Sequence, residues 1–395
     1  MKEIYLDNAA TTYCRDEVIE AMIPYFKINF GNPGSFNTVG LRAKESLDEA
    51  RNKVASLINA DPFEIIFTAG GTESINLAIL GVAKAKKGKH IITSKIEHHA
   101  VLHTCEALEK EGYEITYLDV NQYGQVELET LKQSIREDTI LVSIMFANNE
   151  IGSINHIKDL TEICKERKVA FHTDACQAGG SIKFDVKDLG VNLLTLNGSK
   201  IYGPKQTGIL YVKRGTPIKP LIHGGGQERN LRSGTENIPG IIGFTKALEL
   251  SYEELEQENK RLTELRDYLI EEAIKKVPKT FLNGHPTERL PNNVNLTFLD
   301  IEGEALLLFL NEYGICASSG SACTSQTLDP SHVIISIGLP YEAAHGSIRF
   351  TLGKTTTKED IDKLLEILPN AVKRLREISP ICLTVEQVLE NRKWN

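Results

Sequence analysis

Short apolar runs alternate with amphipathic segments through the first two thirds of the chain. Ala43, Leu47, Ala50, Val54 and Leu57 recur at spacings of four and three, which marks one face of a helix. Glu64–Phe67 reads as a short strand running into Thr68-Ala69-Gly70-Gly71. Further strands are predicted at His90–Thr93, Glu114–Leu118, Thr139–Met145, Val169–His172, Leu193–Leu196 and Ile209–Val212, with helical stretches between most of them. Runs such as Ile140-Leu141-Val142 lack polar alternation, as strands covered on both faces do. The pattern predicts an α/β fold: a large domain with a mostly parallel sheet and helices on both faces.

After about residue 250 the texture changes. Leu255, Leu262, Leu265, Leu269 and Ala273 mark the inner face of a long, heavily charged helix, a strut between two domains. A strand begins near Pro291–Leu296, a helix runs from about Glu302 to Glu312, and Gly314–Ala317 and Ser347–Leu352 read as strands. Thr356-Thr357-Lys358-Glu359 has capping-box spacing and opens a helix carrying Ile361, Leu364, Leu365 and Leu368. These elements predict a smaller α+β domain. The expected division is 14–255 for the large domain, with 1–13 and 256–395 in the small one.

Composition narrows the function classes. The chain has 395 residues, 41% hydrophobic and 25% charged, with a net charge of −8. The acidic balance argues against nucleic acid or an anionic membrane as a partner. No apolar stretch approaches the roughly 20 residues that span a bilayer, and the first residues lack the apolar core of a secretory signal. Seven scattered cysteines without a C-x-x-C pair fit a reducing cytoplasm better than a disulfide framework or a structural zinc site.

Three features point to chemistry. Lys200 follows an apolar strand at once and precedes a Gly-Pro turn. Asp174 ends another apolar strand, 26 residues upstream. Gly70-Gly71-Thr72 enters a helix, whose free N–H groups and dipole favour a phosphate. Each alone is weak; together they describe pyridoxal 5'-phosphate. The lysine amine forms a Schiff base with its aldehyde, the carboxylate keeps the pyridine nitrogen protonated, and the helix start takes the phosphate. His99 and His103 stand at i,i+4, but no H-E-x-x-H pattern or nearby cysteine supports a metal, and they read as ordinary helix histidines.

The chain resembles the NifS/IscS-type cysteine desulfurases, fold-type I, class-V pyridoxal phosphate enzymes, nearly end to end. The resemblance is carried by Tyr5-Leu6-Asp7-Asn8-Ala9-Ala10-Thr11-Thr12, Glu97-His98-His99-Ala100-Val101, Ala147-Asn148-Asn149-Glu150-Ile151-Gly152 and Arg232-Ser233-Gly234-Thr235. Gly346-Ser347-Ile348-Arg349-Phe350 adds to it, and Ser318-Ser319-Gly320-Ser321-Ala322-Cys323-Thr324-Ser325 is the most specific part, matching the first desulfurase group.

The resemblance implies that Lys200 binds the cofactor covalently, Asp174 pairs with its ring nitrogen, Gln177 contacts the ring hydroxyl and His98 stacks on the ring. Gly71 and Thr72 would bind the phosphate with Asn197 and Ser199, and Thr235 would reach it from the other subunit of a homodimer. Asn149 would serve both cofactor and substrate, Arg349 would grip the substrate carboxylate in bidentate fashion, and Asn32 matches a further active-site loop position. Substrate L-cysteine would lose its sulfur to Cys323 as a persulfide and leave as L-alanine, with His98 as acid–base for the thiol. The sulfur would pass to an acceptor, an iron–sulfur scaffold protein by the resemblance. A selenocysteine lyase, a class-V aminotransferase and a non-catalytic docking platform are the competing readings.

Cys323 lies amid Ser, Gly, Ala and Thr, a composition that builds no core and leaves a thiol available. Cys316, on an apolar strand, reads as a buried small hydrophobe, and Cys14, Cys105, Cys164, Cys176 and Cys382 as structural or neutral. Two departures stand out. The family usually has Ser-x-His before the lysine; here Asn197 and Ser199 each offer a donor, but neither can be cationic as histidine can. Asn37 stands where a histidine is common.

Overall fold

A computed structural model describes residues 3–319, 329–380 and 382–390. Among them, seven strands form one sheet, ordered Ile65–Thr68, Gly208–Val212, Leu193–Asn197, Ala170–Asp174, Thr139–Ser143, His90–Ser94, Glu114–Leu118. The sheet is parallel throughout except for Gly208–Val212, which runs antiparallel to both neighbours.

Alternation along each strand builds two cores, because successive side chains of a strand point to opposite faces. Ile65, Phe67, Ile92, Val142, Phe171, Leu194, Ile209 and Tyr211 join one cluster with Leu47, Ala50 and Val54 of the Thr38–Leu57 helix and Phe244 and Leu248 of the Ile238–Glu253 helix. Their neighbours Ile66, Ile91, Leu141, Ala170, Leu193, Leu210 and Val212 join another with Ile75, Ala78 and Val82 of the Gly71–Ala85 helix and Val101, Cys105 and Leu108 of the His99–Lys110 helix. Both faces are therefore covered, which explains why the strands read as unbroken apolar runs.

A third core unites Ile4 and Leu6 with Leu262, Leu269, Leu296, Phe350, Leu364 and Leu368. It surrounds a three-stranded antiparallel sheet, Ser347–Thr351, Asn293–Phe298 and Thr280–Leu282, under the helices Leu255–Lys276 and Lys358–Ile378. Ile4–Tyr5 pairs in parallel with Ile315–Cys316, so the start of the chain is pinned to its C-terminal part. Val333, Ile334, Ile337 and Leu339 instead pack into the first core of the large sheet.

The structure shifts three local expectations. The strand expected over Thr139–Met145 ends at Ser143, and the next residues turn to wall the cavity described below. The capping box before the last long helix is Thr357 with Asp360, one residue later than expected, because the Thr356 hydroxyl is taken by Gly353 N–H at 2.9 Å. Cys316 is half-buried rather than buried, as its strand is only two residues long and lies outside the main sheets.

Candidate active site

A cavity of about 310 Å³ opens at the carboxyl ends of the parallel strands, where loops of this architecture gather functional groups. It is lined by Gly71, Thr72, His98, Asn149, Asp174, Gln177, Asn197, Lys200 and Arg349, nine residues expected from the sequence features and the family resemblance. Asn32 and Thr235, both exposed, and Ser199 are not among its lining residues. Cys323 lies outside the described residues.

Strand parity decides where Asp174 points. It shares a face with Ala170 and His172, the face covered by the helices that begin at Gly71 and His99. Asp174 is 6% exposed, and its Oδ1 accepts from Cys176 N–H at 3.0 Å. Beneath it His172 is spanned by Ser143 Oγ at 2.8 Å and Thr195 Oγ1 at 3.0 Å. Burial pushes the His172 imidazole down to about 4, so it stays neutral and leaves the carboxylate without a cation below it.

Lys200 ends a tight turn, Gly198–Lys200, directly after the Leu193–Asn197 strand. Its amine donates to the main-chain oxygens of Ala9 at 2.8 Å and Ala10 at 2.5 Å. Burial holds the amine below the ordinary lysine range, reinforced by Arg349 and opposed by Cys176, Asp174 and Asp7. Gln177 Nε2 donates to the same Ala9 oxygen at 2.9 Å.

The Gly71–Ala85 helix starts with no side-chain cap, so its first N–H groups stay open toward the cavity. Gly70 precedes it at φ 119°, a conformation that favours glycine. At Gly71 a Cβ would lie 2.8 Å from Cys176 Sγ and 3.5 Å from Asn197 Nδ2, so only a glycine leaves that corner open. Glu73 in the first turn is neutralised by Arg232 at 2.9 Å. Asn197 Oδ1 accepts both the N–H and the hydroxyl of Ser199, at 3.2 and 3.3 Å. The two replacements for Ser-x-His thus bond each other, and Asn197 is the one that lines the cavity.

His98 caps the His99–Lys110 helix, its Nδ1 accepting Ala100 N–H at 3.1 Å. The neutral ring then carries its proton on Nε2, and burial lowers its pKa further. Arg349, 2% exposed, reaches in from the Ser347–Thr351 strand. Its Nη1 donates to Asn149 O at 3.0 Å and its Nη2 pairs with Asp7 Oδ1 at 2.8 Å.

Several wall residues were not predicted. Glu97 is fully buried; its Oε1 accepts from Ser94 Oγ at 2.6 Å and Met145 N–H at 2.9 Å, while its Oε2 has no hydrogen-bond partner among the described residues. Burial pushes this carboxyl up to about 8. His332 joins the wall from a distant segment and Glu150 from beside Asn149, and His99, the first residue of its helix, lines it too, its ring 4.9 Å from His103 and 5.0 Å from His332. Glu97 and His99 flank His98 and Glu150 follows Asn149, so adjacency to an expected site residue was the sequence signal for these three; His332 had none.

The residues present suit pyridoxal phosphate. The uncapped helix start and the open corner at Gly71 match a phosphate. Asp174 is a buried carboxylate facing the same space as the Lys200 amine, and Asn149 Oδ1 is buried with no partner among the described residues. A donor on a bound group satisfies such an atom.

Described residues on either side of the Cys323 position are bonded to residues that line this cavity. Ser318 exchanges main-chain hydrogen bonds with Arg349, at 2.7 and 3.2 Å. On the far side Ser331 Oγ donates to Glu150 Oε2 at 2.5 Å, and His332 Nε2 lies 3.0 Å from Glu97 O.

The chain is similar to known proteins over nearly its whole length. The class-V aminotransferase family model matches residues 4–364. A cysteine desulfurase IscS of Methanosarcina thermophila is 56% identical over 382 residues, 96% of this chain and 94% of that protein. One from Clostridium botulinum is 53% identical over 384 residues, covering 96% and 97%. A solved NifS-like protein superposes with a TM-score of 0.89 at 39% identity, over 95% of this chain and all of that one. Another, from Rickettsia africae, gives 0.84 at 32% identity, over 94% and 100%.

Proposed function

The chain belongs to the cysteine desulfurases of the class-V aminotransferase family, and we propose that it removes sulfur from L-cysteine, holds it on Cys323 as a persulfide and releases L-alanine. The observation that carries this reading is the convergence of Lys200, Asp174, the helix start at Gly71 and Arg349 on one cavity. The residues flanking the Cys323 segment attach to that same wall.

In this reading Lys200, Asp174, His98, Gln177 and Asn149 hold the pyridoxal ring, and Gly71, Thr72, Asn197 and Ser199 serve its phosphate. When bound, the cofactor supplies an electron sink for the substrate's α-carbon. Arg349 orients L-cysteine by its carboxylate, with Asn149 and Asn32 alongside. The Lys200 Nζ, seated on main-chain oxygens rather than on a carboxylate, moves the α-proton. His98 serves the substrate thiol; taking up a proton at Nδ1 requires it to give up its bond to Ala100. The Cys323 thiolate attacks the substrate sulfur: an S–S bond forms, the C–S bond breaks, and the electron pair of that bond stays with the departing three-carbon fragment, which is protonated to L-alanine.

The division into 14–255 against 1–13 with 256–395 is supported by the separate third core, with Val333–Leu339 bridging to the first. A homodimer is supported by the exposed apolar run Ile19, Ile23, Phe26, Ile28 and Phe30 and by the exposure of Thr235, which has no role in its own cavity. Sulfur would pass to an iron–sulfur scaffold or another acceptor protein in the cytoplasm; among the described residues no helix is long and apolar enough to cross a membrane.

The test is a visible spectrum of the purified protein followed by addition of L-cysteine under reducing conditions. Sulfide and alanine in equal amounts are expected. A transferred amino group, with the sulfur kept on the keto acid left from cysteine, in place of alanine would favour the aminotransferase.

A further inference from the structure

The Arg349 guanidinium is reached by a carboxylate from the opposite end of the chain. Asp7 Oδ1 lies 2.8 Å from Nη2, and the two side chains are 18% and 3% exposed. Asp7 does not line the cavity; it stands behind Arg349. Its backbone is fixed by a parallel bridge to Thr351, with Thr351 N–H donating to Leu6 O at 2.7 Å and Asn8 N–H to Thr351 O at 3.3 Å. The Tyr5 hydroxyl closes the segment by bonding Asp7 O at 3.0 Å and Thr11 O at 2.9 Å. Two and three residues on, Ala9 and Ala10 present the oxygens that hold the Lys200 amine. One short stretch thus holds the guanidinium at one end and the amine at the other.

A buried guanidinium is costly to desolvate unless an anion offsets it. Asp7 supplies that anion and fixes the direction of the fork. A substrate carboxylate arriving at Arg349 shares the guanidinium with Asp7, and like charges so close repel. We propose that Asp7 is a positioning residue that aims Arg349 at an α-amino-acid carboxylate and tempers its charge, so that L-alanine is released once its sulfur is gone. The inference rests on the reading of Arg349 as the carboxylate grip. It gives two effects of opposite sign to one side chain, and substitutions separate them. Asparagine keeps the acceptor and removes the charge; alanine removes both.

The experiment titrates pyridoxal phosphate-loaded protein with L-alanine and, separately, with ethylamine, which lacks the carboxylate, following the visible spectrum. Asp7→Asn is expected to bind L-alanine about five- to tenfold more tightly than wild type, since removing a compensating anion strengthens a charge-assisted grip. Its ethylamine affinity should change by less than its alanine affinity, since Asp7 also acts on the Lys200 amine, and alanine should become a stronger product inhibitor. Asp7→Ala should bind alanine more weakly than Asp7→Asn, because the fork loses its aim. Unchanged or weaker alanine binding in Asp7→Asn would overturn the proposal, and so would an equal gain for ethylamine. Arg349→Lys separates the two readings: weaker alanine binding there upholds the carboxylate grip whatever Asp7 does. Unaltered binding in Arg349→Lys would remove that grip, and the role of Asp7 with it.

Discussion

The amine of Lys200 lies 2.5 Å from the main-chain oxygen of Ala10, and a second bond, to Ala9 O at 2.8 Å, comes from the same nitrogen. Neutral carbonyls accept hydrogen bonds from an ammonium without pairing its charge. Burial then works against the charged form, and the direction of the shift is downward. The seat keeps the nitrogen near Asp174 and in a state that readily sheds its proton, which both covalent attachment and proton transfer need.

The first expectation follows from that seat. Lys200→Ala should lose the visible absorbance of the bound cofactor. Borohydride reduction of wild type should fix the label on the Lys200 peptide; label on Lys205 would contradict the assignment.

The phosphate end gives a second. Ser199 spends its N–H and hydroxyl on Asn197 Oδ1, so among the residues expected to meet the phosphate all donors are neutral. Ser199→His offers a charge-assisted bond, worth roughly 1.5–3 kcal/mol, and should slow cofactor loss on dialysis by about tenfold or more. Equal or faster loss would refute the weakness of this corner.

A third concerns the sulfur. Mass spectrometry after L-cysteine treatment should find one added sulfur on the Cys323 peptide. Cys176 touches the same cavity, but burial, with Asp174 adding to it, pushes its thiol well above the usual range and leaves it unreactive. Cys323→Ser should keep the cofactor spectrum and release almost no alanine. Sulfur on Cys176 or Cys316 would reverse the assignment.

Glu97 supplies the fourth, in stability. Its carboxyl is raised in the folded protein to about 8, whereas an unfolded glutamate titrates near 4.3, a rough model value. Between these values the folded chain holds a proton that the unfolded chain has lost, so stability falls as pH rises. The loss is at most about 1.4 kcal/mol per pH unit and levels off above the folded value. Glu97→Gln should flatten the decline in melting temperature between about pH 5 and 8 relative to wild type. Parallel curves for the two proteins would show that Glu97 is ionised in the fold.

Much of this molecule was legible in one dimension. Unbroken runs such as Ile140-Leu141-Val142 required a sheet covered on both faces, and Ile91 against Ile92, or Leu193 against Leu194, then sorted into two cores by parity alone. Lys200, Asp174 and Gly71 were readable because each stands where a strand ends or a helix begins, and chemistry at such places is local in sequence. The tertiary structure decided whatever depends on contact between distant segments. Asp7 meets Arg349 across 342 positions, Ser331 meets Glu150 across 181, and the Lys200 amine rests on Ala9 and Ala10 across about half the chain. Burial decided the rest: Glu97 and His172 carry ordinary side chains whose proton affinities shift only because folding removes water around them. Local pattern encodes what a residue forms with its neighbours, while charge, aim and desolvation are fixed when the chain closes on itself.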